Sequence, residues 1–315
     1  MVFSKDILYA LKKEKGIKRL EYSSPTTWVL SADGHLYGCG ADASGGQQYG
    51  AQGAGKPVTI YNLTRRASYV KDFHVWDDNT YYLTNNNELF GCGYNYFGQL
   101  NSDDQSNVFM FKLLATNVKD FICGNNVTWY LDFDGNLYGC GDGSSGRQGN
   151  GSTSSVKHFT LRATNVRKIA SGEGNTTWYI TNDDKLYGCG WNSFGQQGSG
   201  NTTDVTTFTL RATNVRDVVC APQYTMYVTN DSVLYCTGYN NYGQQGNGNT
   251  TNVTTFTQRA TNVRTMYCSN YTGWYITNDN KLYGCGYNYY GQQGSGNTTD
   301  VNRFTQRATN VKEAA

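Results

Sequence analysis

Residues 185–216 read KLYGCGWNSFGQQGSGNTTDVTTFTLRATNVR, and residues 281–312 read KLYGCGYNYYGQQGSGNTTDVNRFTQRATNVK. The same phrase, more worn, begins again at Leu36, Leu89, Leu137 and Leu234, so six copies follow one another at a spacing of about 48 residues. A period of 40–50 residues holding four short strand-like runs is the pattern of a blade array. Such a unit cannot bury its apolar face alone and exists only against its neighbours. Function is therefore to be sought on a surface that the repeats build jointly.

Within the fourth copy, the alternating run Asn165–Ala170 predicts an inner strand. Gly172 and Gly174 mark a turn, and Thr176–Thr181, rich in aromatic and β-branched residues, predicts the second strand. Asn182-Asp183-Asp184 is hairpin-turn chemistry, as is Phe133-Asp134-Gly135 in the third copy. Leu186–Gly190 predicts a third strand whose two glycines permit a bulge or a close backbone approach. An irregular segment, 191–204, leads to an outer strand at Phe208–Ala212. Four antiparallel strands per unit predict an all-β fold of propeller blades.

The phrase LYGCGxNxxGQxGxG, set after a hairpin turn, resembles the repeat of the RCC1 (regulator of chromosome condensation) family, and the resemblance covers residues 17 to 312. It implies an RCC1-like β-propeller, here of about six four-stranded blades over residues 17–315, expected to close into a ring. Residues 1–16 stand apart as a short helix or strap. The chain departs from the family pattern in blade number, which is commonly seven. The family's histidine in the second strand is replaced by Thr26, Asn79, Val127, Thr176, Tyr224 and Thr272. The proline after the glycine loop is replaced by Thr or Val in the later copies. Closure is expected because Gly16–Leu20 matches the inner-strand phrase while Ala308–Lys312 leads out of the last copy, and a ring leaves no bare sheet edge.

Composition sets outer bounds. Net charge is +2 with 16% charged residues, which gives no electrostatic case for nucleic acid or an anionic membrane as partner. Tyrosines number 26 and glycines 37 against 3 prolines, a composition suited to short half-buried strands joined by polar turns. No run approaches the roughly 18 apolar residues needed to span a bilayer, so no membrane insertion is expected. The N-terminus has no signal-peptide pattern, and the chain is expected to be made in a cytoplasm, with association to a virion compatible with that. The Asn-x-Thr sequons at Asn201, Asn249 and Asn297 then imply no glycosylation.

The residues with catalytic potential do not converge. Cys39, Cys92, Cys140, Cys189 and Cys285 form one column, with Cys236 displaced by one, and Cys123, Cys220 and Cys268 form a second. No CxxC or His-flanked pair occurs, so no metal is expected and the thiols read as small buried hydrophobes, a disulfide framework remaining open. His35, His74 and His158 fall in different columns. Asp183, Asp184, Asp231 and Asp279 recur at hairpin tips, and Glu173 has no acidic partner. The run Gly195–Gly200 lacks the Lys-Ser/Thr ending and the helix of a phosphate loop. No cofactor and no enzymatic activity are expected. One aromatic column, Trp28, Tyr81, Trp129, Trp178, Met226 and Trp274, and the adjacent tyrosines read as packing between blades.

The candidate site lies instead in the loop after the third strand, at Tyr94, Tyr96 and Phe97, Trp191 and Phe194, Tyr239 and Tyr242, and Tyr287, Tyr289 and Tyr290. The first and third copies carry Ala41–Ser44 and Asp142–Ser145 there, without rings. Gathered on one face, these rings suit a protein hot spot or the stacking of sugar rings, and packing of each ring on its own loop is the alternative. The sequence thus points to a non-enzymatic structural or interaction module with a protein or glycan partner, possible settings being a bacteriophage tail or capsid protein. The resemblance itself implies guanine-nucleotide exchange on a small GTPase, or inhibition of an enzyme, as alternatives.

Overall fold

A computed structural model describes residues 16–312, apart from 24–25, 42, 45–46, 49, 57–58 and 172–174 and the side chains of 43–44 and 47–48. The expected N-terminal helix or strap, and Gly172, Glu173 and Gly174, lie outside the described residues. Six four-stranded antiparallel sheets follow one another along the chain. Blade 1 is Ile17–Ser23, Thr26–Ser31, Leu36–Gly40 and Ile60–Ala67; blade 2 is Val70–Trp76, Asn79–Thr84, Leu89–Gly93 and Val108–Ala115. Blade 3 is Val118–Gly124, Val127–Asp132, Leu137–Gly141 and Val156–Ala163; blade 4 is Val166–Ser171, Thr176–Thr181, Leu186–Gly190 and Val205–Ala212. Blade 5 is Val215–Cys220, Tyr224–Thr229, Leu234–Gly238 and Val253–Ala260; blade 6 is Val263–Ser269, Thr272–Thr277, Leu282–Gly286 and Val301–Ala308. The chain forms two compact units. One is Met1–Asp142 with Ser155–Ala163, and the other is Gly143–Ser154 with Thr164–Ala315.

The expected strands are present, with two adjustments in blade 4. Its first strand starts at Val166 and not at Asn165, because Asn165 adopts φ of 60°. Asn117, Asn214, Asn262 and Asn310 do the same at the equivalent joint, where the asparagine tolerates a left-handed backbone that most side chains avoid. The fourth strand starts at Val205, three residues before Phe208, since Gly190 pairs with Val205 across a register shift. That shift is the bulge anticipated from the two glycines of the third strand.

The second strand is buried along its length, as in Thr176–Thr181 and Asn79–Thr84, so a blade shows apolar groups on both faces. One face stacks rings within the blade. Tyr179 lies 4.9 Å from Tyr187 at 14° and meets Phe208 edge-on at 4.8 Å, and blades 2, 3, 5 and 6 repeat the arrangement. The other face meets the next blade. Trp178 of blade 4 packs edge-on to Phe256 of blade 5 at 5.9 Å, and Trp28 of blade 1 to Phe111 of blade 2 at 6.3 Å. The apolar clusters accordingly lie between blades. Trp178, Ile180 and Leu186 join Val215, Val218 and Tyr227, and Met226, Val228 and Leu234 join Val263, Met266 and Tyr275. In the first unit, Trp28 and Leu36 join Val70 and Phe73, and Tyr81 and Leu89 join Val118 and Cys123.

All nine cysteines are free thiols. Burial pushes the Cys140 and Cys236 thiols up to about 12, as expected of small apolar fillers. The thiol of one blade donates to a loop carbonyl of the blade before it: Cys92 to Ala51 at 3.5 Å, Cys189 to Arg147 at 3.4 Å and Cys285 to Gln244 at 3.1 Å. Cys236 is displaced by one from that column, as the sequence indicates. It pairs with Met226, in the register that elsewhere pairs Trp178 with Gly188, so it occupies the glycine position. Thr237 takes the thiol position and donates to the Gly195 carbonyl at 2.9 Å.

Candidate functional site

In a four-stranded meander, the turn between strands one and two and the connection between strands three and four lie at the same end of the sheet. The backbone ties them together. The amide of Trp191 donates to the Asn175 carbonyl at 3.0 Å, that of Tyr239 to Gln223 at 2.9 Å, and that of Tyr287 to Tyr271 at 2.9 Å. Tyr94 makes the same bond to Asp78 at 3.1 Å. The first aromatic of every loop therefore leaves its strand in one fixed direction.

A buried asparagine follows it and organises the loop. The Asn192 side chain donates to Ser199 Oγ at 2.9 Å, and to the Asn201 and Thr203 carbonyls at 3.0 and 2.9 Å. Its Oδ1 accepts the Gln197 amide at 2.8 Å, and its own amide donates to Asp204 at 2.8 Å. Asn240 and Asn288 repeat the set in blades 5 and 6. A glutamine pins the second aromatic: Gln196 Oε1 accepts the Phe194 amide, Gln244 that of Tyr242, Gln292 that of Tyr290 and Gln99 that of Phe97, all at 3.0–3.1 Å. The recurring Asn and Gln of the loop phrase thus hold the rings in place without facing a ligand.

The rings of the second unit form one continuous row. Trp191 meets Phe194 at 5.4 Å, Phe194 meets Tyr239 of the next blade at 5.0 Å, and Tyr239 meets Tyr242 at 6.1 Å. Tyr242 then meets Tyr287 of blade 6 at 4.9 Å, and Tyr287 meets Tyr289 and Tyr290 at 6.3 and 6.2 Å. In the first unit, Tyr94, Tyr96 and Phe97 form a cluster of three. Trp191, Phe194, Tyr239, Tyr242, Tyr94, Phe97 and Tyr287 are half-buried, whereas Tyr96 is 57% exposed, Tyr289 64% and Tyr290 80%. Desolvation first, and neighbouring tyrosines second, push the Tyr239 and Tyr287 phenols up, so both stay neutral at physiological pH.

Tyr271 was not legible as a member of the row. It belongs to the turn before the second strand of blade 6 and sits 5.0 Å from Tyr242 and 6.0 Å from Tyr287. Its signal in the sequence is positional: it stands at the turn whose carbonyl receives the Tyr287 amide, where blades 4 and 5 have Asn175 and Gln223. Blade 3 breaks the pattern. Gly143 replaces the buried asparagine, and Ser144–Gly146 forms a single 3-10 turn with Ser145 at φ of 57°.

The other sequence features resolve into packing. Gly195 and Gly198, at φ of 80° and 63°, lie against Thr254 and Phe256 of the next blade, where a Cβ would not fit. Asn201, Asn249 and Asn297 each accept a backbone amide two residues on, the geometry of an Asx turn. The histidines are separate: His35 lies 3.8 Å from Asp33, His74 3.3 Å from Glu21 and His158 3.0 Å from Asp103. Burial pushes the Glu21 carboxyl up, but His74, Arg19 and the Val75 amide outweigh it and hold the group below the usual carboxylate range. Among the described residues, no three His, Cys, Asp or Glu side chains are grouped to hold a metal ion, and no helix is long and apolar enough to cross a membrane.

With that geometry in hand, comparison with known proteins is informative about fold. The family model described as the regulator of chromosome condensation (RCC1) repeat matches residues 166–196, from the first strand of blade 4 into the loop that carries Trp191, Asn192 and Phe194. The fold is similar to that of human WBSCR16, with a TM-score of 0.71 at 18% identity over 94% of this chain and 82% of that one. It is similar to yeast RCC1 (Prp20) in its crystal structure with Kap60, with a TM-score of 0.71 at 17% identity over 95% and 76% of the two chains. Prp20p from Saccharomyces cerevisiae, whose structure was described with its binding properties to Gsp1p and histones, gives 0.70 at 16% identity over 95% and 78%. No curated protein sequence matches the chain. The class is the all-β propeller built from four-stranded repeats. Within that class, one repeat of this chain, residues 166–196, matches the RCC1 repeat model, and the fold is similar to that of the RCC1 propellers.

Proposed function

We propose that this chain is a non-enzymatic interaction module that binds a protein or glycan partner through the aromatic loop ends of its blades. The RCC1-like propeller architecture is consistent with a protein-interaction module, and the neighbours named with Kap60, Gsp1p and histones bind proteins. The observation that carries the reading is the row of rings from Trp191 to Tyr290. Its members are pinned by buried Asn side chains and by Gln side chains, yet it ends in tyrosines that are 64% and 80% exposed. Rigid, amphipathic rings held open to solvent are the groups that contribute most at interfaces. Their fixing before any partner arrives lowers the ordering cost of binding.

The setting this reading favours is the surface of a virion, such as a bacteriophage tail or capsid, where a neutral Asn-, Thr-, Tyr- and Gly-rich exterior meets a host component. The reading is tested by identifying what copurifies with the native protein from its source, with and without the Tyr289→Ala/Tyr290→Ala change. Recovery with capsid or tail proteins, lost in the variant, supports both the surface and the setting. Recovery with a GTPase whose nucleotide release it accelerates, or with one soluble enzyme that it inhibits, replaces this reading with exchange or inhibition, because a shared fold does not carry function.

A further inference from the structure

We propose that the ring corners Tyr96/Phe97 and Tyr289/Tyr290 are two separate subsites for the pyranose rings of an uncharged glycan. The inference rests on the reading of the loop ends as a binding surface and names the partner's chemistry.

The two corners share one geometry. In blade 2, Tyr94 and Tyr96 lie 6.3 Å apart at 13°, and Phe97 stands at 87° to Tyr96 at 5.1 Å. In blade 6, Tyr287 and Tyr289 lie 6.3 Å apart at 13°, and Tyr290 stands at 88° to Tyr289 at 5.0 Å. Repetition alone does not produce this. The copies in blades 4 and 5 carry Ser193 and Asn241 where Tyr96 and Tyr289 stand, so the corner occurs once in each compact unit.

Both corners are held from below. Asn95 Oδ1 accepts the Leu100 amide at 2.8 Å and Asn288 Oδ1 the Gln293 amide at 2.8 Å, while Gln99 and Gln292 fix the residue that bears the perpendicular ring. Each corner therefore presents an exposed ring, Tyr96 or Tyr289, with a second ring at right angles that is half-buried in Phe97 and exposed in Tyr290. Apart from tyrosine itself, the loop segments 93–100 and 286–293 contain no ionisable side chain. The charges beside these segments include carboxylates, Asp300, whose Oδ1 accepts the Asn288 amide at 2.7 Å, and Asp104, whose carbonyl accepts from the Asn95 side chain at 2.5 Å, and they disfavour an anionic partner. A pyranose instead offers a flat C–H face to a ring and hydroxyls to its rim, which matches an aromatic group with an apolar body and a polar tip. Tyr96, Tyr289 and Tyr290 are exposed, without the surrounding desolvating contacts that a protein hot spot requires. That favours a short run of sugar units over a protein surface.

The test uses the full chain on a printed array of neutral oligosaccharides, followed by calorimetric titration with the best-bound one. Two sites per chain are expected, one remaining in Tyr96→Ala, one in Tyr289→Ala and none in the double variant. Tyr289→Phe, which keeps the ring, is expected to bind within about threefold of the parent, against a loss of about tenfold or more at that corner for Tyr289→Ala. Thermal unfolding of each variant shows whether the fold is intact. A silent array, or titration unchanged in both alanine variants, overturns the glycan assignment. If the same rings are then still needed to hold a copurifying protein, the binding-surface reading stands with a protein partner. If they are dispensable for every partner, that reading fails too.

Discussion

Blades 4 and 5 solve one packing problem with different pairs. In blade 4, Trp178 lies across Gly188, where any Cβ would overlap the indole ring. In blade 5 the same two positions hold Met226 and Cys236, both fully buried. The large ring needs a glycine beneath it, and the slimmer thioether leaves room for a thiol. Neighbouring positions then adjust, with Thr237 donating to the Gly195 carbonyl of blade 4, one residue before the counterpart of the Arg147 carbonyl that Cys189 uses. The contrast teaches that residue type in these columns follows volume and hydrogen bonding, so unusual residues there are no sign of chemistry. The loop rings obey no such exchange, since Tyr289 and Tyr290 are exposed and fill no cavity.

The comparison can be broken most severely at the third-strand glycine that both blades keep. Gly190 has φ of 107°, and a Cβ there would overlap the Asn175 carbonyl oxygen. Gly190→Val adds a branched side chain in that backbone region and against immobile backbone. A loss of about 4 kcal/mol is expected, from backbone strain and overpacking together. Chemical denaturation should show it, and an unchanged midpoint would remove Gly190 from the crowded strand. Next in size is Gly188→Cys, which imports the blade 5 thiol under the blade 4 indole and should cost about 1–3 kcal/mol. Adding Trp178→Met should recover part of that loss. A double-mutant cycle is expected to give a coupling of about 1 kcal/mol or more, and additivity would show that the two columns are independent. Smaller again is Cys236→Gly in blade 5, where the thiol leaves a void beside Met226 costing about 1 kcal/mol.

The fold was legible because the period, the turn residues and the aromatic–glycine phrases are local signals repeated six times. Each reading of Thr176–Thr181 or Leu186–Gly190 could be checked against five other copies. The one-residue displacement of Cys236 was legible in LYCTG, but that it thereby fills the glycine position opposite Met226 follows only from the cross-strand register. The loop ends were legible in part. The chain shows which copies carry rings, but not that Phe194 reaches Tyr239 of the following blade, because that contact depends on blade stacking and not on spacing. Packing and presentation, which looked like alternatives at this loop, both occur. In blades 4 to 6, half-buried rings join neighbouring blades, Phe194 to Tyr239 and Tyr242 to Tyr287, while Tyr96, Tyr289 and Tyr290 face solvent.

The smallest expected effect on stability separates those two roles within one loop. Tyr287 touches Tyr242, Tyr271, Tyr289 and Tyr290, and its amide is bonded to the Tyr271 carbonyl. Tyr287→Ala keeps that backbone bond but removes one of the two blade 6 rings, with Tyr271, that meet Tyr242 of blade 5. About 1 kcal/mol or more should be lost, since an aromatic pair contributes about 0.5–1.5 kcal/mol beyond its buried area. Tyr289 touches only rings of its own loop, and Tyr289→Ala should stay within about 0.5 kcal/mol of the parent, as surface changes away from packing generally do. If the two variants unfold at the same midpoint, the row is not a structural joint between these blades. If Tyr289→Ala is the more destabilising, its ring serves packing, and the case for keeping it exposed for a partner disappears.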